Sequence, residues 1–266
     1  MGRLTGKVAL ITGAASKMGM TIAEKFVKQG ADKVILLDKN VVALSSALHE
    51  ANTIEAPKAV MFQWDGTKKS MKSLIESQCE AVNILYNHAV VEVDPTDSTR
   101  FNDAMAFNLK SLASSISLAA QGKIKEGGCI LCTGSTMSLL GDVVPSLYTM
   151  SRAAVMGVIR AGAAELADKG VRVNAISSNG AATGFHKDAL LQILAGADSQ
   201  KREEIVDKYL TNWVTEEDVA NAAVFLASDA GKSVNGHNLE LNGKFTLDKI
   251  VQVGIPSSSA TSDAAS

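Results

Sequence analysis

Tyr148-Thr149-Met150-Ser151-Arg152 sets a phenol and a permanent cation four residues apart, and Ser135 lies thirteen residues upstream. Positions four apart on a helix share a face, so the spacing predicts that the two groups point the same way. A phenol titrates at about pH 10 and is a poor acid–base catalyst at neutral pH. A cation within a few ångströms favours the phenolate and lowers that value. Ser135 can then hydrogen-bond a substrate oxygen between them. The chemistry this suits is proton transfer at an alcohol or a carbonyl.

The elements that must carry these groups follow from the apolar runs. Lys7 to Thr12, Lys33 to Asp38, Lys58 to Trp64, Val82 to Tyr86, Gly128 to Thr133, Val171 to Ile176 and Leu239 to Leu241 read as strands. Between them, residues 21–29, 41–51, 68–79, 98–121, 148–168 and 219–227 read as helices, the last opened by a capping start at Thr215-Glu-Glu-Asp218. The alternation predicts an α/β fold: one Rossmann-like, doubly wound parallel sheet of about seven strands with helices on both faces. The strands are continuous apolar runs, as expected where both faces are covered. Residues 1–255 form one domain in this reading. A substrate lid occupies about 181–211, and a Ser/Ala-rich tail at 256–266 is disordered.

Thr12-Gly13-Ala14-Ala15-Ser16-Lys17-Met18-Gly19 joins the first strand to the first helix. Glycine there lets the backbone turn tightly and approach a pyrophosphate, while the helix N-terminus supplies amide donors. Asp38 closes the second strand, 19 residues after Gly19. A carboxylate at that place accepts hydrogen bonds from both adenosine ribose hydroxyls and repels a 2′-phosphate, which argues for NAD over NADP. Asp65, ending the third strand, can bind the adenine amine or serve as a plain turn aspartate.

With these residues in view, the chain resembles a short-chain dehydrogenase/reductase over residues 5 to 246. Thr12-Gly13-x-x-x-Lys17-x-Gly19 is similar to the family's Gly-rich turn, and Asn87-His88-Ala89-Val90 to its Asn-Asn-Ala-Gly strand end. Asn108, Ser135 and Tyr148 match three of its four catalytic positions, and the fourth falls on Arg152. Asn174 to Gly180, with Thr183, resembles the loop lining the nicotinamide. The resemblance implies a cofactor site built from Gly13, Ser16, Lys17, Met18, Gly19, Asp38, Asp65, Asn87, Ala89, Tyr148, Arg152 and Thr183. Leu4 to Gly13 and the Leu-Leu-Asp38 ending are similar to plant NAD-dependent members acting on terpenoids and lignans. Among these, a nepetalactol-related group includes cyclases.

Four departures cluster at the site. Lys17 replaces the middle glycine of the turn, where its side chain can pair with the pyrophosphate or crowd it. Val90 replaces a glycine, Asn179 a proline, and Arg152 the lysine. In the family's redox mechanism that lysine lowers the tyrosine pKa and hydrogen-bonds the nicotinamide ribose. Arg152 can do the first by charge, but a planar guanidinium fork is not interchangeable with a compact ammonium for the second.

On the substrate side, Met137, Leu139, Leu140, Val143 and Val144, with Phe185, Leu190, Leu191, Ile193 and Leu194 of the lid, are apolar. They suit a small apolar substrate with one or two oxygens. Small residues along helices 98–121 and 148–168 permit close helix approach, and the resemblance implies a homotetramer. Three functions stay open: a redox-neutral cyclase or isomerase with NAD as a structural cofactor, an NAD-dependent dehydrogenase, and a non-catalytic NAD-binding scaffold.

Composition removes other classes. A net charge of −2 leaves no basic footprint for nucleic acid. No run of about 18 apolar residues is long enough to span a membrane, and the N-terminus carries no signal-peptide core. Three cysteines make no disulfide framework, so a reducing, cytoplasmic setting is expected. Cys129 and Cys132 lie three apart on a strand and so point to opposite faces, and the four histidines show no metal-ligand spacing.

Overall fold

The computed structural model describes residues 2–51, 58–65, 71–89, 101–136, 146–178 and 214–243, with backbone only at 101–104, 106–107 and 146–148. The expected lid, the tail, Val90, Asn179 and Thr183 lie outside the described residues, as do Met137 to Val144.

The strands are β1 (Val8–Thr12), β2 (Lys33–Asp38), β3 (Ala59–Gln63), β4 (Val82–Asn87), β5 (Ile124–Ser135), β6 (Arg172–Ser178) and β7 (Asn238–Leu241). The helices are α1 (Lys17–Lys28), α2 (Val41–Glu50), α3 (Met71–Glu76), α4 (Phe101–Ala120), α5 (Ser146–Glu165) and α6 (Glu216–Ala227). One seven-stranded sheet runs in the order β3-β2-β1-β4-β5-β6-β7. Every pairing in it is parallel.

Side chains that alternate along each strand feed two separate cores. Ala9 and Ile11 join Phe26 of α1, Leu44 of α2 and Val219 and Ala223 of α6 on one face. Leu10 joins Leu74 of α3, Leu112 of α4 and Val155 and Ile159 of α5 on the other. Covering on both faces is why β1 and β2 are apolar throughout rather than alternating. Cys129 and Cys132 fall into the opposite cores, as their three-residue spacing requires. Burial pushes both thiols up to about 11, so they are inert neutral hydrophobes at neutral pH.

Several boundaries differ from the sequence reading: α1 begins at Lys17 rather than residue 21, α3 ends at Glu76 rather than 79, and β6 runs on to Ser178. β5 begins at Ile124 rather than Gly128: Ile124 pairs with Val82, and the register slips before Cys129 pairs with Ile84. The slip falls at Gly127, whose φ of 75° suits glycine and whose N–H donates to the Gly170 carbonyl at 3.0 Å. α5 ends at Glu165, and a 3₁₀ turn at Ala167–Lys169 completes the connection to β6.

α6 is held at both ends. Thr215 and Asp218 form a reciprocal capping box at its start. Past its end, Arg172 of β6 donates to the carbonyls of Leu226, Gly231 and Val234 at 2.7, 2.9 and 3.2 Å. A guanidinium there answers carbonyls that the helix cannot satisfy itself. Among the described residues, no helix is long and apolar enough to cross a membrane.

Candidate functional site

The strand order reverses between β1 and β4, and open α/β sheets bind ligands in the crevice at the carboxyl ends of such strands. Thr12, Asn87 and Cys132 sit in register across β1, β4 and β5 at that edge. All the chemistry-bearing residues of the sequence that fall among the described ones collect there or on the helices above it.

The first turn is built for close approach. Gly13 has φ 68°, and a Cβ on it would meet the Cα and N of Ala89 at 2.8 Å. A Cβ on Gly19 would meet the Gly13 carbonyl oxygen at 2.4 Å. Ser16 caps α1, its Oγ accepting from Gly19 N at 3.0 Å and donating to Gly13 O at 2.8 Å. Thr12 Oγ1 accepts from the N–H groups of His88 and Ala89, both at 3.1 Å, which ties the ends of β1 and β4 together. A turn with no room for side chains beside a helix N-terminus fits a dinucleotide diphosphate.

Asp38 faces the same turn. Its Oδ2 accepts from Ala15 N and its Oδ1 from Asn40 N, each at 3.0 Å. A carboxylate has about four lone-pair sites, so two such bonds fix its position and leave capacity for ribose hydroxyls. Asp65 follows β3 at the same edge. Lys17, by contrast, leans away to α6, where its Nζ meets Glu216 Oε1 at 2.9 Å. Lys25 pairs with Glu217 one step along, so two ion pairs clip α1 to α6. Met18 packs against the core below α1. Glu216 had no local signal in the sequence, because its partner lies 199 positions away.

Asn87 turns its amide into the interior, donating to Ser115 Oγ of α4 at 3.0 Å, and Ser115 donates on to Ser111 O at 2.9 Å. Its side chain is therefore a strut between β4 and α4. Asn108 is buried on α4, and Ser135 is buried at the last position of β5, in register with Ser178. Tyr148 and Arg152 are one turn apart on α5, on the face their spacing demands; the Tyr148 phenol itself lies outside the described residues.

Arg152 is buried, and its Nη1 donates to the Thr133 carbonyl at 3.2 Å. The cation is docked on the end of β5. Its charge is felt by His88, whose imidazole is pushed down to about 4, first by burial and then by Arg152, with Asp38 opposing. His88 is therefore neutral at physiological pH. Its Nδ1 lies 2.9 Å from Thr133 Oγ1, which lies 3.2 Å from the Tyr86 hydroxyl. The sequence reading placed His88 only within the Asn87-His88-Ala89-Val90 strand end. The signal for this chain was present: Tyr86 and His88 share a strand face, and the register that pairs Asn87 with Cys132 brings Thr133 opposite His88. No cluster of metal-ligating side chains occurs among the described residues.

The family model described as enoyl-(acyl carrier protein) reductase matches residues 13–246. Among characterised proteins, the chain is 29% identical to a (+)-cis,trans-nepetalactol synthase of Nepeta racemosa over 255 residues, covering 90% of this chain and 93% of the relative. It is 32% identical to (+)-borneol dehydrogenase 2 of Salvia officinalis over 257 residues, covering 92% and 90%. A carveol dehydrogenase from Mycobacterium avium, solved in complex with NAD, superposes with a TM-score of 0.76 at 22% identity, covering 91% of this chain and 98% of that one. The family model spans most of the chain, and the sheet order and the glycine turn opening α1 agree with it: the chain belongs to the short-chain dehydrogenase/reductase family.

Proposed function

We propose that this protein is a redox-neutral cyclase or isomerase of a small apolar carbonyl or enol, of the nepetalactol-forming type, with NAD held as a structural cofactor. The observation that carries the reading is the docking of Arg152. Its guanidinium is buried against the Thr133 carbonyl, where its charge can still bear on a phenol one turn away. A compact ammonium reaching a nicotinamide ribose is a different arrangement, and a misplacement of about 1 Å can cost on the order of 100-fold in rate. Nicotinamide, when bound, would supply hydride chemistry; in this reading NAD is held to shape the pocket. Ser135, Tyr148 and Asn108 would hold the substrate oxygen and move its proton. Folding a reactive enol into one conformer and polarising an oxygen is enough to direct ring closure. The nepetalactol synthase relative supports the same class.

A second reading, an NAD-dependent dehydrogenase of a terpenoid alcohol, is favoured by the slightly higher identity to the borneol dehydrogenase. Incubation with NAD⁺ and a panel of terpenoid alcohols, followed by NADH absorbance, separates the two. Little NADH is expected, while an iridoid enol or dialdehyde supplied in parallel should give one stereoisomer by chiral chromatography. Robust NADH formation would sink the redox-neutral reading, and no turnover in either assay would leave an NAD-binding scaffold.

The assembly proposed is a homotetramer. The outer face of α4 and α5 exposes Ala113, Ser114, Ser117, Ala153, Gly157 and Ala161 beside the exposed Met150. Nothing lies within 4 Å of a Cβ built on Gly157, so a second copy can approach closely. Light scattering at micromolar concentration should give about four times the 27.8 kDa chain mass; a monomer mass rules the assembly out.

A further inference from the structure

Tyr86, Thr133 and His88 form a polar chain that the proposed reaction does not use. The Tyr86 side chain is wholly buried, and among the described residues its hydroxyl has one hydrogen-bonding neighbour, Thr133 Oγ1 at 3.2 Å. Either oxygen can own the hydrogen between them, since hydroxyl rotors adapt to the network. If Thr133 donates, the phenol hydrogen is left buried with no acceptor among the described residues, and an unmade buried donor is the costlier arrangement. Tyr86 therefore donates to Thr133. The Thr133 hydrogen is then directed to His88 Nδ1, 2.9 Å away. A neutral imidazole has a single N–H, so that hydrogen sits on Nε2.

The far edge of the ring is free to use it. His88 is half-buried, and Nε2 has no protein partner among the described residues. The ring stands at the end of β4, and two charged groups act on it, Arg152 of α5 and Asp38 of β2. Burial first, and Arg152 after it, oppose a positive charge on the ring, so the imidazole stays neutral and its Nε2–H persists through physiological pH. An anion would be met by Arg152; a neutral donor beside it suits an uncharged oxygen.

We propose that His88 presents Nε2–H as a neutral hydrogen-bond donor to an uncharged oxygen of the bound ligand, a carbonyl or a sugar hydroxyl, with Tyr86 fixing the tautomer through Thr133. This rests on the reading of the strand edge as the dinucleotide and carbonyl site. The oxygen belongs either to the nicotinamide nucleoside or to the substrate. In both cases His88 is a binding and polarising residue, comparable in logic to the neutral electrophilic histidine of triosephosphate isomerase.

Histidine-selective ¹⁵N NMR of the wild-type protein tests the tautomer directly. The His88 signal, assigned by its loss in His88→Phe, should report Nε2–H, and Tyr86→Phe should abolish that preference. Calorimetry then locates the acceptor. His88→Phe should weaken NAD⁺ by about 3- to 10-fold, the worth of one neutral hydrogen bond, while leaving ADP unchanged, if the oxygen is on the nicotinamide nucleoside. The same loss for citral, titrated into the NAD⁺-bound protein, assigns it to the substrate. A Nδ1–H tautomer, equal losses for NAD⁺ and ADP, or unchanged affinity for both NAD⁺ and citral would overturn the proposal. Failure of the wild-type protein to bind NAD⁺ would instead strike the dinucleotide reading and leave the tautomer result standing.

Discussion

Gly13→Ala is expected to lower the thermal midpoint by about 10 °C and to abolish NAD⁺ binding. Gly13 holds φ 68°, a left-handed conformation that costs an L-residue about 1–2 kcal/mol. The added methyl carbon would also lie 2.8 Å from the Cα and N of Ala89. Those are backbone atoms, and Thr12 Oγ1 grips that peptide through the N–H groups of His88 and Ala89. Relief therefore requires parting β1 from β4 at the ligand edge. Together these effects cost about 3 kcal/mol. At about 2–4 °C per kcal/mol for a chain of this size, differential scanning calorimetry will resolve the change. Gly122→Ala is the control: its φ is 75°, but nothing lies within 4 Å of the new Cβ. It should show the conformational cost alone and bind NAD⁺ normally. Equal behaviour of the two variants would show that the contact with Ala89 is unimportant.

Arg152→Lys is expected to raise NADH formation from a terpenoid alcohol by about 10- to 100-fold, the range that a one-ångström correction in orientation can recover. The lysine ammonium keeps the charge. It gives up the planar fork that lies on the Thr133 carbonyl and is a more mobile point charge. Arg152→Met removes the charge altogether. Burial first and then Arg152 hold the His88 imidazole down, so loss of Arg152 lets that value rise from about 4, as a proton titration by NMR will show. The methionine variant should be poor in both assays and less stable, because the half-buried Thr133 carbonyl loses its charged donor. A wild-type enzyme that already dehydrogenates as fast as Arg152→Lys would show that the arginine is an adequate substitute.

What could be read from the chain and what could not divide along sequence distance. The six-residue run ending at Asp38 announced both its strand and its place, because continuous apolar residues and a terminal carboxylate are local facts. The Thr215–Asp218 box was visible for the same reason, whereas the first helix was read from residue 21 and in the fold starts at Lys17 on a Ser16 cap. The start of β5 was hidden by Gly127-Gly128, which reads as a turn when it is a register slip inside one strand. Lys17 showed the opposite failure: its position in the turn was plain, but its partner is set by the packing of α1 on α6. The Tyr86–Thr133–His88 chain fell between these cases, since it needs only the register of two neighbouring strands.

The two ion pairs between α1 and α6 also bear on the order in which the protein can be completed. Lys25 and Glu217 are 192 residues apart, and Phe26 and Ile22 of α1 lie in the same core as Val219 and Ala223 of α6. During synthesis at about 5–20 residues per second, the first helix waits roughly 10–40 s for the segment that covers it. The dinucleotide turn is made almost at once, but its supporting helix keeps an uncovered apolar side until the last quarter of the chain emerges. A ribosome-bound chain stopped short of Glu216 would have the glycine turn without the layer that holds it.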